Sequence, residues 1–129
     1  MQKIKNKRLK SQVMERFLNK YVKEGVGYKD DRGNRILLGD HLKDFYYDGS
    51  VIIDNEDIPK IGLSQDLSIY VYFDRSEELI ATTFYEFCEY LENRENWEYV
   101  DAEVFDESLD WLVVVTHDEV AVLFGFDDN

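Results

Sequence analysis

Acidic side chains dominate one stretch of the chain, EFCEYLENRENWEYVDAEVFDESLDW at residues 86–111, which holds ten Asp or Glu and one base, Arg94. This composition has three chemical interpretations: a solvated surface, a site for a positively charged partner, or a cluster of catalytic carboxylates. From Glu86 to Glu95 the acids recur every third residue, so on an ideal helix they drift around the cylinder instead of lining one face. Glu98 and Asp101 continue the spacing inside a predicted strand, so it crosses an element boundary and is not a motif with a single geometry.

A metal site would most naturally use the two histidines. The segment THDE places His117 beside Asp118 and Glu119, and His41 is the second histidine. The sequence contains no H-E-x-x-H, no paired cysteines and no calcium-loop spacing of acids. A zinc-deaminase signature would also require P-C-x-x-C, which a chain with one cysteine cannot supply. We therefore expect no metal and no other cofactor, and we expect His117 to bond locally near a hairpin turn.

Nucleophilic catalysis also lacks its usual residues. Cys88 lies on the apolar side of a predicted helix, among acids that would raise its pKa, so we interpret it as a core residue. G-x-S-x-G, S-x-x-K and Walker A motifs are not present in the sequence. Paired carboxylates stay open as a chemistry, but any acid-rich chain contains such pairs. Because a nuclease needs bases to hold phosphate and residues 76–129 contain only Arg94, we expect the protein not to be an enzyme.

The charge of the chain is acidic and unevenly divided. Of the net charge of −13, residues 1–24 contribute +6, from eight bases and two acids, and residues 25–129 contribute −19, from seven bases and 26 acids. An acidic body of this kind repels nucleic acid and anionic lipid and attracts basic proteins. Since no apolar run reaches the length of a membrane span and no signal-peptide pattern follows the basic N-terminal residues, we expect a cytoplasmic protein.

The elements that would position these residues predict an α+β fold in one domain, residues 1–129. Helical spacing of apolar residues predicts a first helix over 3–25, capped by Gly25, and a second that begins after an N-cap at Ser76 and ends near Asn93. Shorter elements are predicted as a helix at 40–47, a loop at 54–65, and strands at 51–53, 67–73, 97–105, 111–117 and 120–126. We expect a mainly antiparallel sheet with the two main helices packed on one face.

Aromatic residues interleaved with acids form the strongest candidate surface for binding. Carboxylates pair with Arg and Lys, and Tyr supplies rigid contact area. On the second helix the candidates lie on or beside one stripe, and on the strand at 97–105 they alternate with Val100, Ala102 and Val104, which would face the core. The predicted partner-binding residues are Tyr85, Glu86, Glu89, Tyr90, Glu92, Tyr99, Asp101 and Glu103. An ordinary solvated outer face is the alternative.

The C-terminal half resembles some bacterial toxin-immunity proteins. The segments that support this resemblance are DLSIYVYF, FYEFCEYLENRENW and DWLVVVTHDEVAVLFGF. The shared feature is a Trp-containing strand that leads to T-H-D/E and a final hairpin near a glycine, here Trp111, Thr116, His117, Asp118 and Gly125. The resemblance covers roughly the last 60 residues. It implies a cytoplasmic protein that blocks a toxin, often a basic nuclease, and it assigns no individual toxin contact.

The sequence therefore predicts a binding protein that neutralises a basic partner, most simply an immunity protein that blocks a toxin. Two other interpretations remain. One is a phage or mobile-element inhibitor that mimics nucleic acid and blocks a CRISPR or restriction nuclease, which the same charge supports. The other is a small enzyme or metal-binding domain, which a buried carboxylate pair, or a meeting of His41 with His117, would favour.

Overall fold

The computed structural model describes residues 1–21, 51–95 and 97–126. The elements in these ranges are β1 (Gln2–Lys3), α1 (Lys7–Tyr21), β2 (Val51–Asp54), a 3-10 helix (Asn55–Lys60), β3 (Ser68–Phe73), β4 (Glu78–Thr83), α2 (Phe84–Asn93), β5 (Ala102–Phe105), β6 (Leu112–Val115) and β7 (Val120–Phe124). The predicted cap at Gly25 and the short helix at 40–47 lie outside the described residues. No helix in the described ranges has the length and apolar character to cross a membrane.

The described strands form one seven-stranded sheet in the order β1-β4-β3-β5-β6-β7-β2. Every neighbouring pair is antiparallel. The α+β class with a mainly antiparallel sheet is thus confirmed, as are the strand near 67–73 and the closing hairpin of β6 and β7. The segment predicted as a loop at 54–65 instead contains the 3-10 helix.

The two helices pack on opposite faces of this sheet, so the prediction that both lie on one face is wrong. Val13 and Phe17 of α1 belong to a buried cluster with Tyr70 at its edge, whereas Phe87 of α2 belongs to a second cluster that contains Val71. Neighbouring residues of a strand point to opposite faces. The sheet is therefore covered on both sides, and every residue of β5 and β6 is buried.

The helix predicted to start after Ser76 begins seven residues later than predicted, at Phe84, and strand β4 occupies most of the intervening segment. Residues 78–83 pair along their whole length with β3, from Phe73 opposite Glu78 to Ser68 opposite Thr83. Thr83 then caps α2, because its hydroxyl accepts a hydrogen bond of 3.2 Å from the backbone N–H of Glu86. Pairing with a neighbouring strand thus decides the structure of a segment whose apolar spacing also suits a helix.

Helix α1 begins at Lys7 because Asn6 caps it. The side-chain carbonyl oxygen of Asn6 accepts hydrogen bonds from the backbone N–H groups of Arg8 at 3.0 Å and Leu9 at 3.2 Å. The predicted start near residue 3 is occupied instead by β1, which pairs with β4. The basic helix is thus anchored to the sheet by its apolar stripe, as the spacing of its apolar residues suggests.

Candidate partner-binding site

Helix α2 presents the acidic half of the predicted site to solvent. Tyr85, Glu86, Glu89 and Glu92 are exposed, and the opposite side of the helix is buried against the sheet. A hydrogen bond to Glu89, with the negative charges of Glu89 and Glu92, raises the pKa of Tyr85. The structure therefore brings Tyr85, Glu89 and Glu92 together on one stripe.

Glu86 lies beside this stripe but is engaged by its own chain. Its carboxylate accepts a hydrogen bond of 2.6 Å from the hydroxyl of Thr82 and pairs at 3.3 Å with the amino group of Met1. The bond from Thr82, followed by the contact with the amino group, holds the pKa of Glu86 below its ordinary value. A partner would compete with these contacts, so Glu86 is a weaker candidate than Glu89 or Glu92.

Tyr90 is mainly a packing residue. Its ring meets Phe73 edge-on, with centroids 5.6 Å apart, and lies 6.3 Å from the ring of Phe87. Burial raises the pKa of Tyr90, and the charge of Glu98 raises it further. Only part of its side chain remains available to a partner.

The strand half of the predicted site does not form a surface. Asp101 is 5 % exposed and Glu103 is fully buried, whereas Tyr99 is 64 % exposed. The prediction that Asp101 and Glu103 face solvent is wrong, because β5 lies between β3 and β6 and a helix covers each face of the sheet. Every second residue of a strand reaches solvent only when one face of the sheet is uncovered. Of the three strand residues, Tyr99 alone stays with the site.

Asp101 instead holds two neighbouring turns together. One of its carboxylate oxygens accepts from the backbone N–H of His117 at 3.1 Å and contacts His117 Nδ1 at 2.9 Å, and the other accepts from Arg75 Nε at 2.7 Å. His117 lies in the hairpin turn as expected, but these bonds join it to a residue 16 positions away in the sequence and are not local. No group of three His, Cys, Asp or Glu within the described residues is arranged to hold a metal, and the proposed meeting of His117 with His41 lies outside those residues.

A cleft of about 800 Å³ lies next to α2. The described residues that line it are Asp54, Asn55, Glu56, Pro59, Lys60, Cys88, Leu91, Glu92, Arg94 and Glu119. Four of them are acids and two are bases, and Arg94 Nη2 already pairs with Glu119 at 2.6 Å. Glu92 belongs both to the exposed stripe of α2 and to the cleft, so the two form one continuous acidic region.

Three acids of the cleft were not among the sequence candidates. Asp54 ends β2, Glu56 lies in the 3-10 helix, and Glu119 lies in the turn between β6 and β7. These distant segments are brought together by the pairing of β2 with β7. A hydrogen bond of 3.0 Å from the backbone N–H of Asn55 to the backbone carbonyl of Glu119 also joins them. Local spacing contains no signal for this arrangement, because it depends on which strands become neighbours.

Cys88 is half-buried at the cleft wall, where burial raises the pKa of its thiol to about 11. At pH about 8, roughly 0.1 % of the folded thiol is ionised, against about a quarter in an unfolded chain. We therefore expect iodoacetamide to label Cys88 at least about 100-fold more slowly in the folded protein than in urea. Because the unfolded chain loses this proton first, raising the pH from about 8.5 toward 11 also lowers stability.

Mass spectrometry of timed labelling reactions measures this ratio. The control is Cys88→Ser/Ser11→Cys, which moves the thiol to an exposed position of α1 and is expected to label at similar rates in both states. Folded and unfolded rates within tenfold of each other at Cys88 would contradict the raised pKa.

No protein-family model matches this sequence, and no curated protein and no solved structure shows significant similarity to it. The resemblance to toxin-immunity proteins therefore stays a prediction. The geometry of the acidic region is the remaining basis for a functional argument.

Proposed function

We propose that this protein binds and neutralises a basic protein partner, as an immunity protein does with its toxin, through the acidic stripe of α2 and the adjoining cleft. The observation on which the proposal rests is the position of Glu92, which joins the exposed stripe to a cleft whose described lining includes four acids and two bases. Carboxylates in a concave site are partly shielded from water, so they attract Lys and Arg more strongly than carboxylates on an open surface.

The overall charge supports the same class of partner. The net charge of −13 would speed the approach of a positive protein at low salt. It would slow the approach of nucleic acid and anionic membranes, so a protein surface rich in Arg and Lys is the ligand that fits. The resemblance of the C-terminal half to toxin-immunity proteins supports a toxin, such as a basic nuclease, as that protein.

Charge reversal in the acidic region tests this proposal. We expect Glu92→Lys and Glu89→Lys each to weaken capture of basic proteins from a lysate of the source cell by at least about tenfold, because like charges then face each other. Capture by the unaltered protein should also fall steeply between about 50 and about 500 mM salt, as screening shortens the range of the charges. Quantitative mass spectrometry of the bound fraction measures both effects.

The matched control is Glu77→Lys, which makes the same charge change at an exposed acid in the turn between β3 and β4, outside the cleft. It should reduce capture far less than Glu92→Lys. The proposal is wrong if the captured proteins are not basic, or if all three variants and high salt leave capture unchanged.

A further inference from the structure

The segment between α2 and β5 exposes two aromatic rings to solvent. Trp97 is 72 % exposed and Tyr99 is 64 % exposed, which makes them the most exposed large hydrophobic side chains of the described residues. The residues that alternate with them turn inward: Glu98 is half-buried and Val100 is 2 % exposed. Both rings are therefore open to a partner from solvent.

Hydrogen bonds hold the backbone of this segment in place. The N–H of Glu98 donates to the carbonyl of Glu95 at 3.0 Å and closes a turn around Trp97. Arg94, which is largely buried, donates from Nη1 to the carbonyl of Glu98 at 3.3 Å and from Nε to the carbonyl of Leu91 at 3.2 Å. Exposed rings on a fixed backbone lose little conformational freedom on binding, which is a property of the residues that dominate interface energies.

The surroundings of the rings favour a cation as their ligand. Glu95 is exposed two residues before Trp97, Glu98 lies between the two rings in sequence, and the stripe of Glu89 and Glu92 precedes them on α2. An aromatic face attracts a cation, and Trp attracts it most strongly. Among cationic side chains, Arg fits best because its planar guanidinium stacks on a ring while its N–H groups still reach carboxylates.

We propose that Trp97 and Tyr99 form an aromatic anchor that stacks on arginine side chains of the basic partner and distinguishes arginine from lysine. This inference rests on the proposed function, because the two rings add arginine recognition to the acidic surface that binds the basic partner there. The acids of α2 and the cleft attract any cation. The two rings supply the preference for a planar cation.

The test compares a deca-arginine with a deca-lysine peptide by isothermal titration calorimetry at low salt. We expect the unaltered protein to bind deca-arginine about fivefold more tightly than deca-lysine. The double variant Trp97→Ala/Tyr99→Ala should lose about tenfold in affinity for deca-arginine and should no longer distinguish the peptides. Trp97→Phe keeps a ring and should retain most of the preference.

Two further variants make the outcome specific. Leu9→Ala removes an exposed apolar side chain from α1 and should change neither affinity, and Glu92→Lys should weaken both peptides alike. Circular dichroism shows whether each variant folds. If Glu92→Lys weakens both peptides while the double variant binds them like the unaltered protein, the aromatic anchor is refuted and the proposed function stands. If the unaltered protein binds neither peptide at low salt, both are refuted.

Discussion

Replacing Phe17 by alanine is expected to lower the free energy of unfolding by about 4 kcal/mol, one of the largest single-residue effects in this protein. Phe17 is fully buried, and its ring stacks on Phe105 of β5 with centroids 4.6 Å apart and tilts against Tyr21 at 5.2 Å. The substitution removes most of a side chain from a cluster that joins α1 to the sheet. The cavity that remains adds to the lost burial. Urea unfolding followed by circular dichroism measures the difference.

The control separates apolar packing from charge as the force that holds α1. Lys7→Ala removes an exposed positive charge from the same helix and should change stability by less than about 0.5 kcal/mol. If the attraction between the basic helix and the acidic body held α1 in place, Phe17→Ala would cost little and high salt would destabilise the unaltered protein strongly. Either of these results would contradict the packing account.

The parts of the fold that the sequence predicts correctly are those whose local pattern has one solution. In β3, the run of β-branched and aromatic residues between Ser68 and Phe73 has few alternatives to a strand. The closing hairpin has two apolar strands joined by a tight link, with Glu119 in the left-handed conformation that such turns require (φ 64°). Local chemistry is sufficient in both cases, so no knowledge of distant neighbours is needed.

Strand β4 was missed because its residues suit two structures. Ile80, Phe84 and Phe87 follow each other at helical spacing, and the real helix begins only at Phe84. Both faces of β4 are occupied, with Leu79 in the cluster under α1 and Ile80 in the cluster under α2. A strand buried on both sides lacks the alternation that identifies a half-exposed strand, so its pairing with β3 and β1 decides its conformation.

The candidate site also has one part that the local sequence predicts and one part that it does not. The helical half was predictable, because an amphipathic helix packed on a sheet must leave its polar side to solvent, and Glu89 and Glu92 lie there. The strand half was not, because Asp101 is enclosed by turns that contribute Arg75 and His117, and Glu103 lies on a strand between β3 and β6. Residues 1–25 give no local sign of which face their helix will cover.

Replacing Gly125 by alanine is the second large effect that we expect, a loss of about 3 kcal/mol in the free energy of unfolding. Gly125 follows β7 with φ at +81°, and a Cβ atom built there would lie 2.2 Å from the carbonyl oxygen of Asp110 and 3.0 Å from Trp111 Cα. Both contacts are backbone atoms next to a paired strand, so they cannot move aside as a flexible side chain would. Calorimetric unfolding measures the loss.

Gly62 provides the matched control, because its φ is also positive, at +92°, but a Cβ there would meet no atom within 4 Å. Gly62→Ala therefore costs only the strain of a Cβ atom at positive φ, about 1 kcal/mol. The difference in unfolding free energy between the two variants then measures the effect of the close approach to Asp110. Equal losses would show that backbone conformation alone requires glycine at 125. A larger loss at 125 explains in physical terms why the final hairpin ends near a glycine, since the chain must pass directly over the backbone that precedes β6.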